Sequence, residues 1–427
     1  METYARVLLI AMPAFLLLVM AEKAWGWWRG YDTVRWNDMI SSLSSGMTNV
    51  TKDVLGLSVV VISYGWLVSR VAIVDMPGGW LTYVVAFIAL DFAGYWVHRI
   101  SHRVNLFWNN HIIHHSSEEF NLACALRQSI SSIVRIFAVF LLPAALLGVP
   151  AQVIAVIAPL HLFAQFWYHT RHIGRMGFLE SFLVTPSHHR VHHAINPEYL
   201  DKNFGQIFIV WDKWFGTFRA ESSDIPCVYG VTRPVRTWNP VRINFMHLWL
   251  LIRDAWYAPR ILDKLRIWLM PLGWRPPGAE AKVPVVKAYD PGYTAYNAGD
   301  GRGLIAWSAV QLFLILLLLM WMFVHLAEIG VPGIYAYGAL IFLSVFSMTE
   351  LLDQHPRAWL WEVIRAVYGV TLMVWCGEKS GRLLDWFAAG PASFWLVFIL
   401  SFWWFAGVAV SVFYCRRQAL THAGQGG

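Results

Sequence analysis

Charged side chains are scarce: they make up 14% of the 427 residues, against about 25% in an ordinary soluble domain. With 57% hydrophobic residues and a mean hydropathy of +0.48, that scarcity excludes a freely soluble domain and points to an integral membrane protein. Cysteine is equally sparse. Cys124, Cys227, Cys376 and Cys415 are scattered, with no Cys-x-x-Cys pair, which excludes a thiolate zinc site and a dithiol redox motif and leaves four reduced packing residues. There is no His-Glu-x-x-His, so a zincin protease is excluded too. The net charge is +7, yet the cations are spread as membrane flanks and interspersed with acids, without the basic stripe of a nucleic-acid reader. Anionic headgroups of a bilayer are the simpler partner. No internal repeat or low-complexity tract is present. The first apolar run lacks a basic leader and a small-residue cleavage site, so a first span is expected there rather than a cleavable signal.

What is abundant is apolar sequence. A spanning helix needs about 20 mostly apolar residues, and nine segments qualify as candidates: 4–25, 51–73, 79–97, 131–148, 150–169, 304–325, 331–349, 361–377 and 391–414. The fourth and fifth carry Arg135, Pro143, Pro159 and His161, and Gly148 to Pro150 join them closely, so a tight or partly re-entrant hairpin is an equal reading. The expected architecture is all-α: a polytopic membrane bundle of about nine hydrophobic segments. Its parts are a membrane-embedded unit over 1–220, a polar connector over 221–303 and a C-terminal bundle over 304–427. Arg99, Arg103 and Arg127, then Arg171, Arg175, Arg190, Lys202, Lys213 and Arg219, place the stretches 98–130 and 170–303 on the cytoplasmic side. The membrane would be the inner membrane of a bacterium or the endoplasmic reticulum of a eukaryote.

Histidine is concentrated. Twelve of the sixteen fall between His98 and His193, and all but His161 come in blocks: His98 and His102; His111, His114 and His115; His169 and His172; His188, His189, His192 and His193. Residues three and four apart share one helix face, so each block points several imidazoles the same way. Packing neutral imidazoles together brings no structural benefit, and their charged forms repel; a divalent metal removes both problems. His98, His102, His111, His114, His115, His189, His192 and His193 are the expected ligands, and His169 and His172 are candidates to complete the shells. Eight to ten ligands exceed what one ion takes, so two ions are implied. Imidazole-rich sites suit iron, copper, nickel and zinc. Two redox-active irons facing a membrane can activate dioxygen and attack a C–H bond of a lipid. A metal-ion transporter and a haem carrier are the alternatives of other classes, but the histidines gather at one membrane face instead of lining a pore.

Other polar positions have two readings each. Asp91, seven residues before His98 on the same face, is either a partner that orients that imidazole or half of a salt bridge with an arginine. Asn121 and Arg127, with Glu118 and Glu119, either close a polar pocket over the metals or the lipid headgroup, or cap a surface helix. Asn196, Asp201, Asn203 and Asp212 fit turns as well as roles behind the ligands. His161 and His188 read as pocket-lining or supporting residues, and the isolated His325, His355 and His422 as packing or interfacial ones.

The spacing His-x3-His, His-x2-His-His and a second His-x2-His-His at His98/His102, His111/His114/His115 and His189/His192/His193 resembles the fatty acid hydroxylase and sterol desaturase superfamily. Two stretches are similar to its alkylglycerol monooxygenase branch. One runs from Trp108 through Ser116-Ser117-Glu118-Glu119-Phe120-Asn121 to Ser129. The other is Thr185-Pro186-Ser187-His188-His189, followed by Asn196-Pro197, Asp201-Lys202-Asn203, Trp211-Asp212-Lys213 and Phe215-Gly216-Thr217. The resemblance implies a diiron, O2-dependent monooxygenase that hydroxylates the carbon beside the ether oxygen of an alkylglycerol. The products would be a fatty aldehyde and glycerol or its derivative. It also implies tetrahydrobiopterin as electron donor. Animal members of that branch carry a pterin-associated glutamate directly after the second histidine; here that residue is Arg103, which leaves ferredoxin or another reductase open. A sterol or fatty-acyl hydroxylase or desaturase would use the same ligands.

Overall fold

The structure, a computed structural model, describes residues 2–288, 294–299, 301–380 and 391–424. The side chains of Cys376 and His422 lie outside those described. Ten helices carry the architecture: α1 (Glu2–Trp28), α2 (Trp36–Val54), α3 (Trp80–Arg103), α4 (Ala151–Phe163), α5 (Pro186–His193), α6 (Pro240–Tyr257), α7 (Arg302–Val324), α8 (Leu326–Leu352), α9 (Ala358–Ser380) and α10 (Pro391–Gly424). Among the described residues, sheet is confined to a parallel pairing of Val59–Val60 with Val134–Arg135. The fold is therefore helical, as the composition implies.

Among the described residues, five stretches are long and apolar enough to cross a membrane: Tyr4–Trp28 of α1, all of α3, α7 and α8, and Phe398–Arg417 of α10. The chain is a multi-pass membrane protein. Among the described residues five of the nine expected segments qualify as spans, and the reasons are local. Segment 51–73 breaks after Val54 because Gly56 turns with φ +65°, and the β-branched run Val59, Val60, Val61 and Ile62 leaves the helix for extended backbone. Hydropathy averages over such a break. Segments 131–148 and 150–169 form the short hairpin: an irregular first arm, a turn at Gly148 with φ +69°, and α4 of 13 residues. At 1.5 Å per residue α4 is about 20 Å long, short of a hydrocarbon core of about 30 Å. α9 has the length of a span but carries Glu362 and Arg365, fully buried as an ion pair.

Two cores hold these elements. The larger joins α1 and α2 to the C-terminal helices through Ile40, Leu319, Ile341, Met348, Trp403 and Trp404. The smaller packs Ala86, Leu90 and Ala93 of α3 against Leu141, Val153 and Ile154 of the hairpin. α2 is polar yet buried. Ser41 donates to the Trp238 carbonyl at 2.7 Å, Ser45 to that of Gln128 at 3.0 Å, and Thr51 back to Met47 at 2.7 Å, so these three hydroxyls are satisfied by backbone. α6 begins with Asn239 capping the Val241 and Arg242 amides and Pro240 in the first turn.

Candidate metal centre

The histidine blocks ride on three short supports. His98 and His102 end α3; His111, His114 and His115 lie on the turn Ile112–His115 and its entry; His189, His192 and His193 lie on α5, opened by Pro186. The fold brings nine imidazoles into two groups, in each of which the ligand nitrogens lie within 4.8 Å of one another. His98, His102, His111, His115 and His192 form the first; His114, His169, His189 and His193 form the second. The groups adjoin through His115 and His193, whose rings stack at 4.2 Å. His172 belongs to neither group: its Nε2 meets the Thr33 hydroxyl at 3.1 Å and its ring meets Tyr31 edge-on.

The tautomers can be read from the backbone. Nδ1 of His98 donates to the Phe204 carbonyl at 2.9 Å, that of His192 to Lys202 at 2.9 Å, and that of His169 to Gln165 at 3.0 Å. A carbonyl accepts only, so each Nδ1 carries the proton and each Nε2 presents a lone pair. These lone pairs converge. His115 Nε2 lies 3.2 Å from that of His102, 3.0 Å from that of His111 and 3.1 Å from that of His192. In the second group His189 Nε2 lies 2.8 Å from that of His169 and 3.0 Å from that of His193. One proton on His115 satisfies one of its three neighbours, and His98 Nε2 is buried with no partner at all. The donor set thus fits a divalent metal in each group. Burial first, then the neighbouring imidazoles, pushes His111, His114, His115, His189, His192 and His193 well below the ordinary histidine range, so the lone pairs are available at neutral pH.

The carbonyls behind the ligands are themselves fixed. Asp212 accepts the amides of Phe204 at 2.8 Å and Gly205 at 2.7 Å and the Thr217 hydroxyl at 2.6 Å. Asn203, at φ +56°, bridges the His188 and Arg219 carbonyls. Asp201 sits 3.7 Å from His102 Nδ1 and the same distance from Arg103 Nε. Asp91 is fully buried but partners His161 at 2.9 Å, not His98, and accepts the Ile207 and Phe208 amides and the Trp211 indole. It ties α3 to α4 and to the loop that presents Phe204. His188 turns to the Leu183 carbonyl and Phe218.

Asn121 and Arg127 are also buried. Asn121 donates to the Thr33 carbonyl at 2.8 Å and caps the Ala123 and Cys124 amides. Arg127 donates to Ser42 at 2.9 Å, Ser116 at 2.7 Å and Asp38 at 2.8 Å, holding α2 to the segment just after His115. Asp38, which also accepts from Ser117 at 2.8 Å, escaped the sequence reading. The pattern that marks it is Asp38 followed by Ser41, Ser42, Ser44 and Ser45, an acid on a hydroxyl-rich helix among apolar spans. Phe120, Tyr168 and Phe204 line the imidazoles with aromatic surface.

Residues 83–217 match the family model for fatty acid hydroxylase. Human alkylglycerol monooxygenase is 33% identical over 402 residues, covering 92% of this chain and 87% of the relative. The zebrafish (Danio rerio) enzyme of the same name is 36% identical over 374 residues, covering 84% and 80%. An ornithine lipid hydroxylase of Rhizobium tropici is 29% identical over 146 residues, 33% of this chain and 44% of the relative. No solved structure matches the chain. The chain belongs to the fatty acid hydroxylase family, a class of lipid oxidoreductases, and within it to the alkylglycerol monooxygenase family. It is a membrane lipid monooxygenase.

Proposed function

We propose that the protein is a diiron, O2-dependent monooxygenase that hydroxylates the carbon beside the ether oxygen of an alkylglycerol. The observation that carries this reading is the pair of adjoining imidazole groups, five nitrogens and four. His98, His102, His111, His115 and His192 would hold one iron; His114, His169, His189 and His193 would hold the other. Iron bound there supplies the redox chemistry that lets dioxygen attack an unactivated C–H bond.

The chain's own residues do the rest. The carbonyls of Phe204, Lys202 and Gln165 hold the Nδ1 protons, which fixes each ring and keeps its Nε2 lone pair inward. Phe120, Tyr168 and Phe204 exclude water from the space beside the rings, which suits an apolar chain entering from the bilayer. Overall, one atom of O2 enters the C–H bond and the other leaves as water, with two electrons and two protons drawn from the reductant. The hydroxylated carbon is a hemiacetal; its bond to the ether oxygen breaks, giving a fatty aldehyde and glycerol. The reductant is a reduced pterin or a ferredoxin-type donor, and the site faces the cytoplasm, where the cationic flanks of the spans lie.

Incubating membranes that contain the protein with an alkylglycerol, O2 and either reduced tetrahydrobiopterin or a ferredoxin system tests the reading. Fatty aldehyde is expected with at least one donor. Turnover of a sterol or free fatty acid, with none of the ether lipid, would overturn it.

A further inference from the structure

A cavity of about 380 Å³ is lined by Trp25, Arg29, Tyr31, Arg171 and His172. Two guanidiniums and an imidazole meet there between aromatic walls: Arg29 lies over Trp25 at 5.7 Å, Arg171 over Tyr31 at 5.8 Å, and Tyr31 meets His172 edge-on at 5.7 Å. The acids nearby are engaged. Asp32 holds Lys23 at 2.5 Å, and Glu119 holds one end of Arg171 at 2.8 Å. Arg29 has no carboxylate partner among the described residues. Arg171 Nε is buried without a hydrogen-bond partner, although its Nη2 is taken by Glu119 and the Thr33 carbonyl. Arg171 lines the cavity, so its guanidinium is a charge-assisted donor for an anionic oxygen there.

The position selects the kind of anion. The candidate span of α1 ends at Trp28, and Trp27 and Trp28 are 78% and 69% exposed, the placement of an interfacial aromatic belt. The cavity therefore opens at the headgroup level of a bilayer. His172 follows His169 by three residues, so the backbone positions of the cavity's histidine and of a second-group ligand lie within about 10 Å of each other. With a water taking roughly 30 Å³, the volume suits a headgroup better than a single small ion.

We propose that this cavity binds the phosphate of a phosphate-bearing ether lipid, with Arg29 and Arg171 as its cationic partners and Trp25 and Tyr31 as its walls. The proposal rests on the lipid-monooxygenase reading and names the headgroup chemistry of its substrate. The purified full chain is presented with a single-chain ether glycerophosphate, the matching neutral alkylglycerol, or inorganic phosphate, and binding is followed by native mass spectrometry. The phosphate-bearing lipid is expected to bind at least about tenfold more tightly than the neutral one, the gain of about one charge-assisted bond. Arg29→Ala should cut that ratio about tenfold, and Arg29→Lys should restore most of it. Equal affinities for the two lipids, or an unchanged ratio in Arg29→Ala, would overturn the proposal. Saturation by inorganic phosphate without any preference between the lipids would also overturn it, because the site would then serve a free anion. Failure of the monooxygenase reading looks different: no aldehyde from any ether lipid, with the binding preference intact.

Discussion

Single histidines carry this site, and His115 is the one on which the first group turns. Its Nε2 touches those of His102, His111 and His192, and its ring stacks on His193 of the second group. His115→Ala removes a nitrogen from the centre of the first group. With one iron in each group, as proposed, bound iron counted by elemental analysis should fall from two per chain to one or fewer, and turnover by at least about a hundredfold. Two irons retained with full turnover would sink the assignment. Glu119 gives a pH signature. Burial, opposed by Arg171, raises its carboxyl from the ordinary 4.5 to about 7. Between those values the folded chain holds a proton that the unfolded chain has lost. The stabilisation is thus complete below about pH 4.5 and is lost as pH rises through 7. Glu119→Gln should flatten the decline in thermal stability over that window; an unaltered slope in detergent-solubilised protein would contradict it. Individual imidazoles were legible in the sequence because their spacing is local. Their tautomers were not, since the carbonyls that set them come from Phe204 and Lys202, far along the chain from His98 and near His192 only through a turn.

At the scale of elements, hydropathy identified the long spans and overcounted the broken ones. α1, α3, α7 and α8 match apolar runs because a helix is the way twenty-odd apolar residues satisfy their backbone in lipid, and neither Pro13 in α1 nor the kink at Gly330 to Pro332 near the start of α8 removes the span. Segment 51–73 is just as apolar but contains Gly56 and four consecutive β-branched residues, and composition alone does not register that change of backbone. Asp91 illustrates the same limit. Its heptad offset from His98 is real, yet the neighbouring α4 brings His161 nearer, and which helix packs there is a tertiary fact. The hairpin itself depends on Gly148, where φ is +69° and an added Cβ would run into the Val74 carbonyl. Gly148→Ala should destabilise the protein by about 1–3 kcal/mol through strain, with more if the turn cannot shift. Thermal unfolding measures it, and a variant as stable as the parent would show that the turn is not fixed. Because α4 carries His161 behind Asp91, the same variant should lower iron occupancy as well.

Across the whole molecule, the C-terminal helices hold none of the grouped imidazoles and still bear on them. α7 and α8 pack against α1 and α2, α2 carries Asp38, and Asp38 grips Arg127 beside the segment that follows His115. That chain of contacts makes the bundle a buttress for the metal groups. Its centre is the ion pair of Glu362 and Arg365, with Arg365 also donating to Gln311 at 2.6 Å and lying over Trp403 at 4.5 Å. Removing one partner of a buried pair leaves an uncompensated charge, whereas replacing both with apolar residues of similar size is often neutral. Arg365→Met should therefore destabilise the chain by about 3–5 kcal/mol, and Glu362→Leu combined with Arg365→Met should recover most of that loss. If the bundle buttresses the site, iron occupancy falls in the single variant and returns in the double. A single variant that unfolds more readily yet keeps its iron to the same temperature as the parent would separate the bundle from the metal groups and end the buttress argument.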